Sequence, residues 1–357
     1  MNHSLPSVAN TRPETRSAAT GVVHVACCVD DAYVKGAAVT LVSAAKNLGS
    51  DRTLCVELVD GGISDLSFET LQRTCEAAGI QLRRHRLDLV PLHELPISHH
   101  ISHAAYLRLL LAEILPEDLD RVLYLDGDLL VLEDLSQLFE ESLEGHWAAA
   151  VPDVACPYMD ATQAVSNLRQ CGPYMATYRP VSNYQELGIS GEQPYFNSGV
   201  LLVDLVEWRN QDLGRKFLHC LATNADSIWC WDQYALNVVL SGRWKVLPLR
   251  WNCGGHLYEY LSTDATPLSA SESREAYDEP AIVHFTTKDK PWHAGHQHPH
   301  GDAFFEYLDL TAWEGWRPTA TRSRLALWWS AQCEQWQRQA IIAYRKWQLR
   351  FMSECQV

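Results

Sequence analysis

The sequence has no Cys-x-x-Cys pair, and its 11 cysteines are odd in number and irregularly spaced. That pattern excludes a zinc knuckle and a disulfide framework. No run approaches the ~20 apolar residues a membrane span requires. The first twenty residues carry no apolar stretch before a cleavage site, so they read as a polar, disordered leader rather than a secretory signal. Positive charge is also scarce. With 29 Lys and Arg against 44 Asp and Glu, the net charge of -15 argues against nucleic acid as the main partner, because phosphate binding relies on clustered cations, and any basic patch must be local. No internal repeat or low-complexity segment appears. What is left is a globular chain of 357 residues and 47% hydrophobic composition, with a reducing cytoplasm as its expected compartment.

From Gly21 the chain alternates β-rich and helical segments. A strand to Val29 leads to a helix through Ala38, Leu41, Val42, Ala45 and Leu48. A strand Leu54 to Val59, a helix Ser64 to Ala78 and a strand from Ile80 to Leu87 follow. This order implies βαβ units, hence an α/β fold with a Rossmann-like, mostly parallel sheet flanked by helices. The G-x-G-x-x-G that would cradle a dinucleotide is absent after the first strand, where two acids, Asp30 and Asp31, stand instead. A helix is expected over Ala104 to Leu115. Further strands are expected at Trp147 to Val151, Val200 to Leu205, Trp244 to Leu249 and Ala281 to Phe285, and helices at Asp212 to Ala222 and Trp231 to Leu240. Residues 154–193 show weak periodicity, the mark of a lid or acceptor loop.

Chemistry concentrates at strand ends. The buried strand Val122-Leu123-Tyr124-Leu125 ends in Asp126-Gly127-Asp128. Residues two apart in extended chain project to one side, so both carboxylates can reach one cation at the strand's carboxyl end, where open α/β sheets bind ligands. Gly127 leaves no side chain to block a phosphate. Oxygen donors of this kind suit Mg²⁺ or Mn²⁺. Turn chemistry alone also produces Asp-x-Asp. His93, His99, His100 and His103 lack spaced acids or cysteines and read as solvated loop. Arg108, set among Leu107, Leu109, Leu110 and Leu111, either snorkels or aims at an anion.

Asp30, Asp126, Asp128, Asp153, Asn197, Asp232 and His284 all fall at strand ends or helix starts of this one pattern. With Val29-Asp30-Asp31-Ala32-Tyr33, Tyr106-Leu107-Arg108-Leu109, Phe196-Asn197-Ser198-Gly199-Val200-Leu201, Asp232-Gln233 with Leu236-Asn237, and His284-Phe285 with Lys290-Pro291-Trp292, the chain from about Val22 to Trp316 resembles glycosyltransferase family 8. These are retaining nucleotide-sugar glycosyltransferases of GT-A type fold, including bacterial lipopolysaccharide galactosyl- and glucosyltransferases and glycogenin. The resemblance implies that Asp126, Asp128 and His284 bind Mn²⁺ or Mg²⁺, which holds the diphosphate of a UDP-sugar. It places Asp30, with Asp31 and Tyr33, at the uridine end. Arg108, Asp153, Asn197, Ser198, Asp232 and Gln233 would surround the donor sugar, Asp232 and Gln233 being the catalytic candidates, and Lys290 would meet the diphosphate. The expected reaction moves glucose or galactose to a glycan, lipopolysaccharide or another surface glycan. Three positions depart from the pattern: Ala32 for Asn, Thr287 for Gly and Tyr234 for Asp. A sugar-nucleotide hydrolase or nucleotidyltransferase, and a non-catalytic binder of UDP-sugar, stay open as alternatives.

The division expected is a leader over 1–20, the catalytic domain over 21–317 and a tail over 318–357. In the tail Leu325, Trp328, Trp329, Cys333, Trp336, Ala340, Tyr344, Trp347 and Phe351 recur at helical spacing opposite Arg322, Arg324, Arg338, Arg345, Lys346 and Arg350. This basic amphipathic helix either lies on an anionic membrane surface, peripheral to the inner face, or packs on the domain or a second subunit.

Overall fold

A computed structural model describes residues 21–86, 103–160, 179–260, 262–287, 290–296 and 298–319, with six isolated positions beyond them. The leader, His93, His99 and His100, and most of the tail lie outside the described residues. Strand β1 (Val22–Val29), helix α1 (Val34–Asn47), β2 (Thr53–Asp60), helix α2 (Asp65–Ala77) and β3 (Gln81–Arg86) open the chain in the expected order. Then come β4 (Arg121–Leu125), β5 (Leu129–Val131), β6 (Ala148–Pro152), β7 (Phe196–Asp204), β8 (Trp244–Val246), β9 (Cys253–Gly254) and β10 (Ile282–His284). Seven strands form the main sheet in the order β3-β2-β1-β4-β7-β6-β8, and β5-β10-β9 form a second.

Strands β1 and β2 are buried along nearly their whole length because side chains pack on both faces. One face packs Val25, Cys27, Val56 and Leu58 with Leu41 of α1; the other packs Ala26, Tyr124, Leu201, Tyr106 and Trp208. At the end of the order, β3 reads Gln81-Leu82-Arg83-Arg84-His85-Arg86, the charged composition that keeps an edge strand from pairing further. The Ser64 hydroxyl caps α2 by accepting from Ser67 N (3.3 Å), a contact worth about 1 kcal/mol.

One expectation needs correction. Ala104 to Leu115 is not one α-helix: His103–Leu110 is a 3₁₀ helix, and only Leu111–Ile114 is α-helical. In a 3₁₀ helix residues i and i+3 eclipse, which brings Arg108 Nε within 3.0 Å of the Ala105 carbonyl and aims the guanidinium at the sheet edge. The sheet is mostly parallel, but β7 runs antiparallel to both β4 and β6. Its first residues therefore lie at the same edge as the carboxyl end of β4. Asp126 N–H donates to the Gly199 carbonyl (2.9 Å) across that junction.

Candidate active site and metal centre

Strand β4 ends buried, and the two carboxylates that follow are held differently. Asp126 accepts from the Tyr124 hydroxyl (2.7 Å) and pairs with Arg108 Nη2 (2.9 Å). Asp128 is buried and pairs with Lys290 Nζ (2.6 Å) and His284 Nε2 (3.2 Å). Burial alone would raise the Asp128 carboxyl, but Lys290 and His284 beside it hold it well below the usual carboxylate range. The turn is fastened to α1 by Thr40, whose hydroxyl donates to the Leu129 carbonyl (3.0 Å) and accepts from Leu129 N (3.1 Å).

Asp126, Asp128 and His284 offer donor atoms that all lie within 4.8 Å of one another. The orientation of the imidazole follows from its partners. Asn197 Oδ1 accepts from the backbone N–H of Gly199 (3.0 Å), so the Asn252 amide must present its NH₂ to that oxygen (2.9 Å). Asn252 Oδ1 then faces His284 Nδ1 (2.8 Å), which donates to it, and Nε2 is turned towards the two carboxylates. Three potential ligand atoms this close together in a largely buried site are spaced so that one cation could take all three. Two oxygens and one imidazole nitrogen form a set suited to Mn²⁺ or Mg²⁺, so the residues fit the metal that the sequence implies.

The same hydrogen bonds continue into a second cluster. Asn197 Nδ2 donates to Asp153 Oδ2 (3.3 Å), which also accepts from Gln233 Nε2 (3.0 Å). Gln233 Oε1 accepts from Ser198 N (3.0 Å), and the Ser198 carbonyl and hydroxyl accept from Arg108 Nη1 (3.1 and 3.2 Å). Arg108 Nε reaches Asp232 Oδ2 (3.2 Å). Burial pushes the Asp232 carboxyl up to about 6 even though the Arg108 charge opposes the shift. Arg108 thus aims at anions and does not snorkel.

These residues line a cavity of about 950 Å³ together with Asp30, Tyr33, Asn197, Ser198, Asp232, Gln233 and Lys290. Asp30 Oδ1 closes the turn into α1 by accepting from Ala32 N (3.0 Å) and Tyr33 N (3.1 Å). Cys28 also lines the cavity, and burial pushes its thiol up to about 12, so it stays uncharged.

Several expected roles change. Asp31 is exposed and does not line the cavity; its carboxylate accepts from Ser64 N and Oγ (both 2.9 Å) and ties β1 to the start of α2. Tyr234 lies outside the cavity, where its hydroxyl donates to Asn183 Oδ1 (2.8 Å) in the core. Thr287 does line it, and its methyl packs towards Gly255. A Cβ on Gly127 would meet Ala37 of α1 at 3.4 Å, an ordinary contact, so the protein's own packing leaves room there. Space within the protein is tighter at Gly199, where a Cβ would overlap the His284 ring and stand 2.9 Å from Asp126 Oδ2. Asn252 is a site residue that the sequence did not single out.

The model for Glycosyl transferase family 8 matches residues 24–295. The chain belongs to glycosyl transferase family 8. This family 8 protein is 29% identical over 295 residues to general stress protein A of Bacillus subtilis (strain 168), covering 82% of this chain and 95% of that one. It is 28% identical over 305 residues to lipopolysaccharide 1,2-glucosyltransferase of Escherichia coli (strain K12), covering 84% of this chain and 82% of that one. Among solved structures, galactosyltransferase LgtC in complex with donor and acceptor sugar analogs matches with a TM-score of 0.67 at 24% identity, over 81% of this chain and 96% of that one. The shared fold is the GT-A type α/β fold. Among the described residues no helix is long and apolar enough to cross a membrane.

Proposed function

We propose that this family 8 protein is a retaining hexosyltransferase that moves glucose or galactose from a UDP-sugar to a glycan acceptor, lipopolysaccharide or another surface glycan. The observation that carries the reading is the convergence of Asp126, Asp128 and His284 in a cavity that Arg108, Asp232 and Gln233 also line. Asp126, Asp128 and His284 would hold Mn²⁺, or Mg²⁺ in its place, which when bound neutralises charge on the diphosphate of the leaving UDP.

The chain's own groups supply the rest. Lys290 gives two hydrogens to Asp128 (2.6 Å) and the Phe285 carbonyl (2.6 Å), and its third, without a hydrogen-bond partner among the described residues, would go to a diphosphate oxygen. In the reaction the bond from the anomeric carbon to the UDP oxygen breaks and the bond from the acceptor oxygen forms on the same face. The acceptor's proton passes to the departing UDP oxygen. Gln233 is fixed by Ser198 N and Asp153, so its amide oxygen would be oriented in advance of the charge that develops on the sugar. Asp232, ionised above about pH 6, adds a carboxylate to the same side.

The tail would seat the enzyme on the inner face of an anionic membrane, next to a lipid-borne acceptor. Half-exposed tryptophans at 329 (50%) and 336 (59%) support that reading, since indole favours the headgroup zone. A donor screen tests the function: UDP release from UDP-glucose, UDP-galactose and their N-acetyl forms, with Mn²⁺ and a panel of glycan acceptors. Acceptor-stimulated release with a hexose donor, and a product keeping the donor's α configuration by NMR, is the expected result. Hydrolysis that no acceptor accelerates would favour the hydrolase reading instead.

A further inference from the structure

A second cluster of metal-ligating side chains stands on the main sheet, far from the cavity. His24 and Cys55 are register partners on the parallel strands β1 and β2, and Glu57 follows Cys55 by two residues, so all three project from one face. His24 lies near the start of β1, whereas Asp30 follows its end. At ~3.3 Å per residue, six residues put the two places about 20 Å apart.

The donor atoms His24 Nδ1, Cys55 Sγ and a Glu57 oxygen lie within 4.8 Å of one another. His24 Nδ1 is 3.8 Å from Glu57 Oε1, and Cys55 Sγ is 3.8 Å from the same oxygen. A zinc tetrahedron built from thiolate, imidazole and carboxylate bonds has edges of about 3.3 to 3.8 Å, so the set is already near the required spacing. Cys55 and Glu57 are fully buried. His24 Nδ1 is a buried nitrogen with no hydrogen-bond partner among the described residues, an unsatisfied donor or acceptor that a metal bond would complete.

The surroundings have the form of an outer shell. Glu57 Oε2 is 2.6 Å from His85 Nε2, and Glu57 Oε1 accepts from Arg83 Nη1 (3.1 Å), so the carboxylate is oriented from outside while keeping lone pairs for a metal. A Cys55 thiolate and the Glu57 carboxylate balance the charge of a divalent ion. The Arg83 charge is left at the half-exposed edge.

We propose that His24, Cys55 and Glu57 form a second metal site, selective for Zn²⁺ over Mn²⁺ because it contains a thiolate, with water at the fourth position and His85 and Arg83 as orienting partners. The site would pin β1 to β2 in the sheet that carries Asp30, and it takes no part in sugar transfer.

The test is a Co²⁺ titration of the full-length chain after chelation, in the presence of saturating Mg²⁺ to fill the catalytic centre. The expected result is a thiolate-to-cobalt charge-transfer band that saturates at one equivalent and is bleached by Zn²⁺. Cys55→Ser, which keeps the size of the side chain, should lose the band while retaining acceptor-stimulated UDP release. His85→Ala should keep the band but bind Co²⁺ about 10- to 100-fold more weakly. His24→Asn gives a second variant in case Cys55→Ser does not fold. Absence of the band in the unmodified chain overturns the site, as does a band unchanged in both variants. If UDP release is lost while the cobalt band persists, only the transferase reading is affected.

Discussion

Adding one methyl group at Gly199 should damage the metal centre more than the same change at Gly127, although Gly127 sits between the two aspartates. In Gly199→Ala the new Cβ would overlap the imidazole of His284 and approach Asp126 Oδ2 to 2.9 Å. The strand cannot retreat, because Val200 pairs with Leu125 of β4 and Leu201 with Tyr124. His284 cannot simply turn either, since Nδ1 is held by Asn252 at 2.8 Å and the residue is buried. Overpacking of this kind costs about 1 to 3 kcal/mol, and at ~1.4 kcal/mol per factor of ten that is roughly 5- to 150-fold in Mn²⁺ affinity if the metal geometry absorbs it. The control is Gly127→Ala, whose Cβ meets Ala37 at an ordinary 3.4 Å and should change the affinity less than about threefold. Mn²⁺ titrations of UDP release, with melting temperatures for both variants, measure the difference. Equal Mn²⁺ dependence and equal melting in Gly199→Ala and the parent would refute the steric argument.

Asp128→Asn keeps the shape but removes a charge from the metal set and from Lys290, so Mn²⁺-supported turnover should fall by at least about a hundredfold, and a chelator should abolish turnover of the parent; full activity of the variant without added metal would end that assignment. Burial holds Asp232 at about 6, so turnover that needs the carboxylate should decline as pH drops through 6, close to tenfold per unit below it. The stability term has the opposite sign. A carboxyl raised from 3.8 to about 6 favours the fold below pH 3.8 and loses that contribution as pH rises through 6. A pH–rate profile flat from 7 to 5, or one unchanged in Asp232→Asn, would disprove the role. Truncation after Ala320 should leave a soluble chain that still releases UDP but no longer sediments with anionic vesicles; vesicle binding equal to that of the full chain would show that the tail is not the lipid contact.

The main sheet was legible because burial on both faces leaves a strong trace: continuous apolar runs with Asp30, Asp126 and Asp153 where they stop. Strand direction leaves no such trace. Nothing in Phe196-Asn197-Ser198-Gly199 tells that β7 runs backwards, yet that reversal is what puts Asn197 and Ser198 at the carboxyl end of β4. Polar elements were also hidden. The helix Ala270–Asp278 turns mainly Ser273 and Ala276 inward, so it has no apolar stripe to read. Asn252 was missed because its value lies in facing His284 and Asn197, two partners 32 and 55 residues away. For Asp31 the residue type suited several jobs, and only its hydrogen bonds to Ser64 show the structural one it performs.

The amide relay from His284 to Gln233 has one permitted sense. Gly199 N–H and Ser198 N–H are backbone donors that cannot be turned round, and they fix which end of Asn197, Asn252 and Gln233 is oxygen. On the proposed function, the groups offered to the sugar and to the metal share this relay, and any coupling between the two ligands would be reciprocal. A sugar hydroxyl that competed for Asp153 would pull on Gln233 and Asn197, and through Asn252 on the orientation of His284. Preference among donor sugars should accordingly shift when Mg²⁺ replaces Mn²⁺, and the affinity for metal should shift by the same factor when one hexose replaces another.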